Sequence, residues 1–309
     1  MNSAWLGLPE VGRHVLGNCW RSRPTVFRHA LLSKSIARFD KDRFLVWTDQ
    51  TVGSVRLFEA FTDGSSRSGL LPDTRNAREL FTKLQAAGTT FTIHMNDVEM
   101  VDKDIFELRQ AFGIPYWWRI DDVIGTLSSP GSGIGYHAGH EDGFIVQLSG
   151  SRRWRVWSES CTPVAYRYEL LAPSHGPNPV IVRPDSDVDL LLDVVLSAGD
   201  VLYIPPYFPH EGVTIETSVS LSIAWKGLGP VSFLPSWVAA RISEGEKSRF
   251  MEKAVALFDE VPSADIALSS WLKASVNVTQ DSFQSDMSNE VEMAIESHFF
   301  KLSRRYCDS

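Results

Sequence analysis

The stretch from residue 124 to 225 constrains the fold more than any other part of the chain. It contains FIVQLSG, RRWRVW, DVDLLLDVVLSAGD, VLYIPP and VSLSIAW. These short β-branched and aromatic runs are separated by Gly, Pro and Asp, with no helical period between them. Closely spaced short strands of this kind close into a barrel or a sandwich.

The flanks read differently. FLVWT (44–48), SVRLFEAF (54–61) and GTTFTIHM (88–95) are expected to be strands. DTRNARELFTKLQAAG is expected to be a helix capped by Asp73 or Thr74 and stopped by Gly88, with Leu80, Phe81 and Leu84 on its apolar face. DKDIFELRQAFG (102–113) repeats that design, with Ile105, Leu108 and Phe112 inward. After Gly227 the texture becomes helical. In the last segment Met287, Val291, Ile295, Phe299 and Leu302 recur every three to four residues. The boundary is set near 228. The apolar stripe exceeds what a short helix needs to cover one partner, so a homodimer through these helices is expected beside an intramolecular core.

Composition excludes several function classes. The 309 residues carry a net charge of −8, which argues against a primary nucleic-acid binder. Cys19, Cys161 and Cys307 form no CxxC pair, so neither a zinc ribbon nor a disulfide framework is expected, and a reduced, cytoplasmic setting fits. The opening MNSAWLGLPEVGRH lacks a basic segment followed by an apolar one, so no secretory signal is read. No run of about 18 apolar residues occurs, so no membrane partner is expected.

Two histidines sit at the edges of strand signals. His137 precedes FIVQLSG, and His210 follows SAGDVLYIPPYFP. Two neutral imidazoles on facing strands form half of an Fe(II), Zn(II) or Cu(II) site, or are hydrogen-bonded structural residues. Along RRWRVW side chains alternate, so Arg152 and Trp154 share one face and Arg153 and Arg155 the other. An inward arginine needs an anion: a ligand carboxylate, or an aspartate of Arg119-Ile120-Asp121-Asp122. In Ser218-Val219-Ser220-Leu221-Ser222-Ile223 one face is all hydroxyl, lining a cavity or facing solvent. His140, Glu141 and Asp142 are a solvated loop, substrate contacts or replacement metal ligands. His14, His29, His94, His175 and His298 have no partner at ligand spacing and are read as structural.

These segments resemble the Jumonji-C/cupin-type Fe(II)/2-oxoglutarate oxygenases, in particular the ribosomal oxygenase branch with its arginine hydroxylases. The resemblance rests on WWRIDDVIGTLSSPGSGIGYHAGHEDGFIVQLSGSRRWRVW and on GDVLYIPPYFPHEG, with NCWRSRPTVFRHAL near the start, and covers roughly residues 12–228. It implies a double-stranded β-helix (jelly-roll) barrel with flanking helices: a catalytic domain at 1–228 and a helical C-terminal domain at 229–309. It implies His137 and His210 as iron ligands, and Arg152 with Ser128 as 2-oxoglutarate contacts. O2 is the co-reactant.

The family's aspartate ligand falls on Gly139, which has no side chain. Known 2-oxoglutarate-dependent halogenases carry Gly or Ala there. The resemblance therefore implies a halide site at Gly139 and chloride as a further cofactor, with C–H chlorination as the leading expectation. A hydroxylase of a small molecule or of a peptide or protein side chain, with water, Glu141 or Asp142 filling the gap, is the alternative, and a non-catalytic ligand-binding descendant the third reading. The winged-helix domain of the ribosomal enzymes is not expected here. The expected substrate is polar, with a small molecule (an amino acid or nucleotide derivative, or another metabolite) the leading expectation and a peptide the other, held near His140, Glu141, Asp142, Ser220 and Ser222.

Overall fold

The computed structural model describes residues 3–51, 54–60, 66–71, 76–114, 120–171 and 181–225. Contacts divide the chain into two units, Met1–Pro163 with Val180–Trp225, and Val164–Pro179 with Lys226–Ser309. Of the second unit only the helix α6 (Val164–Leu171) is among the described residues. The helical reading of 229–309, its apolar stripe and the dimer expected from it lie outside them.

The first unit is mainly antiparallel β, as the spacing of strand signals requires. Its strands are β1 (Thr25–Phe27), β2 (Val55–Ala60), β3 (Ser66–Leu70), β4 (Thr90–Met95), β5 (Ile120–Ser128), β6 (Asp142–Trp157), β7 (Leu190–Ser197), β8 (Val201–Ile204) and β9 (His210–Trp225). They pair in the order β1-β8-β6-β9-β5-β4-β2-β3, with β7 on β6. FIVQLSG and RRWRVW, read as separate runs, are one continuous strand. The first half of β6 lies between β8 and β9, with Ile145 opposite both Leu202 and Ser222. The second half lies between β7 and β9, with Arg152 opposite both Leu196 and Thr214.

The change of neighbours happens at Gly150. Its φ is +66°, and a Cβ there would lie 2.2 Å from the Thr217 carbonyl oxygen. The register shifts on both sides of it. A bulge at a glycine bends the strand, so β6 and β9 serve two layers each.

The helices of the first unit, which begin with α1 (Leu8–His14) and α2 (Ser33–Ile36), pack on one side of its sheet. FLVWT is not a strand: it lies inside α3 (Lys41–Gln50). The Asp40 side chain accepts from the Arg43 N–H at 3.0 Å, an N-cap. Phe44, Trp47 and Thr48 fall on one buried face at helical spacing. The two expected helices form as α4 (Ala77–Ala86) and α5 (Lys103–Ala111), the latter capped by Asp102 through the Asp104 N–H at 2.9 Å. Asp102 also accepts from Trp47 Nε1 (2.8 Å) and Arg43 (2.6 Å), which ties α3 to α5. The main core joins these helices to the outer face of the sheet through Trp5, Phe44, Trp47, Phe91, Ile93, Leu127 and Trp225.

Candidate metal and cosubstrate site

His137 is carried on the loop after β5, and His210 opens β9. Their backbones form an isolated antiparallel bridge. The His137 N–H donates to the His210 carbonyl at 3.1 Å, and the His210 N–H to that of His137 at 2.8 Å. The ring centroids are 4.3 Å apart. His137 Nδ1 lies 2.9 Å from the Gly135 carbonyl oxygen, and His210 Nδ1 lies 2.9 Å from that of Phe208. A carbonyl only accepts, so each Nδ1 carries the proton and each Nε2 keeps its lone pair. That tautomer is the one a metal-binding imidazole needs. Burial holds both rings neutral: it lowers His137, and it pushes His210 down to about 3 with help from His137 and Arg152.

Arg152 lies on the inward face of β6 and is 2% exposed. Nη2 donates to the Gly212 carbonyl at 3.1 Å and Nη1 to Thr126 Oγ1 at 3.4 Å, while Nε has no partner. Its guanidinium stacks on Trp154, 5.1 Å from the ring centroid. Burial pushes it down to about 10, so it stays cationic at neutral pH. No ion pair among the described residues involves it; Asp122 instead accepts from Asn96 at 2.6 Å. A buried cation with an orphaned N–H and only weak neutral acceptors is incomplete without an anion. Space for Arg152 comes from Gly212 on β9, whose added Cβ would meet Arg152 Nε at 2.8 Å and the Trp154 ring at 3.0 Å.

A cavity of about 270 Å³ joins these groups. His137, His210, Arg152, Trp154, Thr126, Ser220 and Ser222 line it, with Ile124, Ile134, Ile145, Leu221 and His94. Thr126 and Ser220 hydroxyls bond each other across β5 and β9 at 2.8 Å. The hydroxyl face read in Ser218–Ile223 therefore faces this cavity at Ser220 and Ser222. His94 is a residue the sequence reading set aside as structural. It shares a face of β4 with Thr92 and stands opposite Thr126. Burial, Arg56 and His137 push it down to about 4. Only the pairing of β4 with β5 brings it to the site.

Other expected site residues fall elsewhere. Ser128 is fully buried and bonds Thr92 Oγ1 at 2.9 Å, beyond the cavity lining; Thr126, two residues earlier on the same face, reaches Arg152 instead. Asp142 is corrected as a pocket residue. It is fully buried, accepts from Tyr203 Oη (2.6 Å) and Arg21 Nε (3.0 Å), and pins the N-terminal region to the start of β6. His140 and Glu141 lie beside the cavity rather than in its lining, and bond each other. The His140 N–H donates to Glu141 Oε2 at 3.0 Å. Among the described residues no group of three or more His, Cys, Asp or Glu side chains is gathered to hold a metal.

The antiparallel barrel with its facing histidines is of the JmjC, cupin-like class, and residues 107–228 match the JmjC domain family. This domain is related to the ribosomal oxygenases. The chain is 38% identical over 109 residues to the ribosomal protein uL16 3-hydroxylase of Escherichia coli (strain K12), which is 35% of this chain and 26% of that protein. It is 25% identical over 216 residues to a probable ribosomal oxygenase of Haemophilus influenzae, 69% of this chain and 48% of that one. The solved structure of YcfD, a ribosomal oxygenase from Escherichia coli, in complex with cobalt and 2-oxoglutarate superposes with a TM-score of 0.53 at 20% identity. That superposition covers 89% of this chain and 67% of the other and shows the shared fold. The chain thus spans about a quarter to a half of the curated relatives' length.

These relatives overturn the expectation of a small-molecule partner: one is named as a hydroxylase of a ribosomal protein and the other as a probable ribosomal oxygenase. Among the described residues no helix is long and apolar enough to cross a membrane.

Proposed function

We propose that the chain is an Fe(II)/2-oxoglutarate-dependent oxygenase that hydroxylates a side chain of a ribosomal protein. One observation carries the reading: two imidazoles with free Nε2 atoms share a cavity with a buried arginine that lacks an anion. His137 and His210 would hold the metal through Nε2. Arg152 would take a carboxylate of 2-oxoglutarate, and a charge-assisted bond there satisfies its orphaned Nε. Thr126 and Ser220 offer hydroxyls beside that carboxylate. Ile124, Ile134, Ile145 and Trp154 form an apolar wall that keeps bulk water away. Fe(II), 2-oxoglutarate and O2, when bound, supply the oxidising chemistry for C–H hydroxylation. The ribosomal substrate is carried over from the relatives' names, and a cytoplasmic location goes with it.

Chlorination is the second reading, favoured by the missing side chain at Gly139. Two observations weigh against it. The matched relatives are named a hydroxylase and an oxygenase. The space beside Gly139 already holds a carboxylate oxygen of Glu141, 2.6 Å from where a Cβ would stand.

The test is incubation of the protein with Fe(II), 2-oxoglutarate and extracted ribosomal proteins, with and without chloride, followed by peptide mass spectrometry. The expected product is a peptide with one added oxygen, formed equally without chloride and absent with His210→Ala. Cosubstrate turnover that requires chloride and yields a chlorinated peptide would replace this reading with the second. No oxygenation of any ribosomal protein would overturn the substrate assignment.

A further inference from the structure

We propose that the Glu141 carboxylate replaces the missing aspartate as the third protein ligand of the metal. This rests on the oxygenase reading and adds to it the residue that completes the first coordination sphere.

The geometry begins at Gly139. A Cβ built there would stand 2.6 Å from Glu141 Oε2, closer than real side chains approach one another. The carboxylate of residue 141 thus occupies the space in which a side chain at 139 would begin. That space is held in place from both sides. His137 is bridged to His210 by its backbone, and the Gly139 carbonyl accepts from the Tyr207 N–H at 2.8 Å. The Gly139 backbone is therefore fixed relative to both histidine segments, and Glu141 follows it two residues along the chain.

The other acids near the pair are committed. Asp142 is buried under Arg21 and Tyr203. Glu211, next to His210, faces Arg183 at 3.1 Å and Arg155 at 3.7 Å. Glu141 has neither kind of partner: its carboxylate rests on the His140 N–H (3.0 Å) and lies 3.4 Å from His140 Nδ1, and its side chain is 24% exposed. Its charge also reaches His137. Coordination requires Glu141 to leave His140 by side-chain rotation, since the three side chains are not gathered round one point. Glutamate has one more rotor than aspartate, which suits a ligand that reaches back from two residues further along. A carboxylate also restores the negative charge an aspartate gives a divalent ion. Gly139 is then the residue that lets Glu141 in, rather than an opening for halide.

The test uses the full chain and Co(II) without O2, with affinity measured by calorimetry and the ligand field by visible absorption, in the presence of 2-oxoglutarate. Glu141→Gln should weaken Co(II) by about tenfold or more and change the visible bands. Gly139→Asp alone should give no gain, because its carboxylate only displaces the mobile end of Glu141 from the same position. The double variant Glu141→Ala/Gly139→Asp should recover affinity and bands, since removing the Glu141 carboxylate leaves its place to the new aspartate. Unchanged affinity and spectrum in Glu141→Gln would overturn the assignment, and so would a loss that the double variant does not recover. His137→Ala and His210→Ala separate the two levels. If they abolish Co(II) binding and Glu141→Gln does not, only the Glu141 assignment falls. If they leave binding intact, the oxygenase reading falls with it.

Discussion

Replacing Arg152 with methionine should move stability and ligand affinity in opposite directions. The guanidinium is 2% exposed, and burial lowers its proton affinity from the ordinary 12.5 to about 10. At 1.36 kcal/mol per pH unit, holding that charge in the folded protein costs about 3 kcal/mol. The sign is fixed by linkage. The folded group binds its proton less tightly than the unfolded one, so the cost is fully present at neutral pH and is relieved only as pH rises above about 10. Methionine keeps much of the volume and removes the charge. It also removes the bonds to the Gly212 carbonyl and Thr126 Oγ1, worth about 1 kcal/mol each. The net is a gain on the order of 1 kcal/mol, or about 2–4 °C in Tm for a domain of this size.

Binding should go the other way. Losing a desolvated charge pair costs about 2–5 kcal/mol. At 2-oxoglutarate one hundred times the wild-type Kd, with Mn(II) as an inert metal, the wild type should gain about 2.7 kcal/mol and the variant less than about 1 kcal/mol. Thermal unfolding with and without ligand, backed by calorimetric Kd values, measures both. A variant that is several kcal/mol less stable without ligand, or that keeps its ligand-induced shift, would refute the view of Arg152 as a cation awaiting a carboxylate.

Three further outcomes follow from the same geometry. Gly212→Ala should cost about 1–3 kcal/mol by overpacking and weaken 2-oxoglutarate, because its Cβ would meet Arg152 Nε at 2.8 Å; unchanged affinity in a calorimeter would count against it. Asp142→Ala should destabilise by about 3–5 kcal/mol, since Arg21 and Tyr203 lose their buried partner; a denaturant midpoint near wild type would refute that role. Glu99 sits buried near Arg109 and is pushed up to about 7, mainly by burial. Its raised value means stability falls as pH rises from about 4.5 to about 7, and Glu99→Gln should flatten the stability curve across that window in denaturant titrations.

Much of the frame is legible in local signals, and the misses have local causes. Gly and Pro punctuation gives β8 and the start of β9, and the parity of RRWRVW places Arg152 and Trp154 on the face that lines the cavity. FLVWT misled because five apolar and β-branched residues in a row satisfy a strand as well as a buried helix; the deciding signal is Asp40 three residues before Arg43. The join of FIVQLSG to RRWRVW was hidden because Ser149-Gly150-Ser151 reads as a turn, whereas it is a bulge inside one strand. Asp142 looked like a loop acid because its partners, Arg21 and Tyr203, are distant in sequence. His94 and Thr126 reach the site through strand pairing alone, which no local period encodes.

The paired backbone hydrogen bonds between His137 and His210 have a consequence for how such a site diversifies. The spacing of the two imidazoles is set by main-chain atoms, and main-chain atoms are the same whatever side chain follows. The alphabet at positions 139 and 141 can therefore change without dislodging either ring. Frame and reactivity become separate variables: one is inherited with the barrel, the other is written in two nearby letters. For protein engineering, exchanging those letters within this chain is a smaller step than rebuilding a site, and libraries confined to 139 and 141 would sample first-sphere chemistry on a fixed pair of imidazoles.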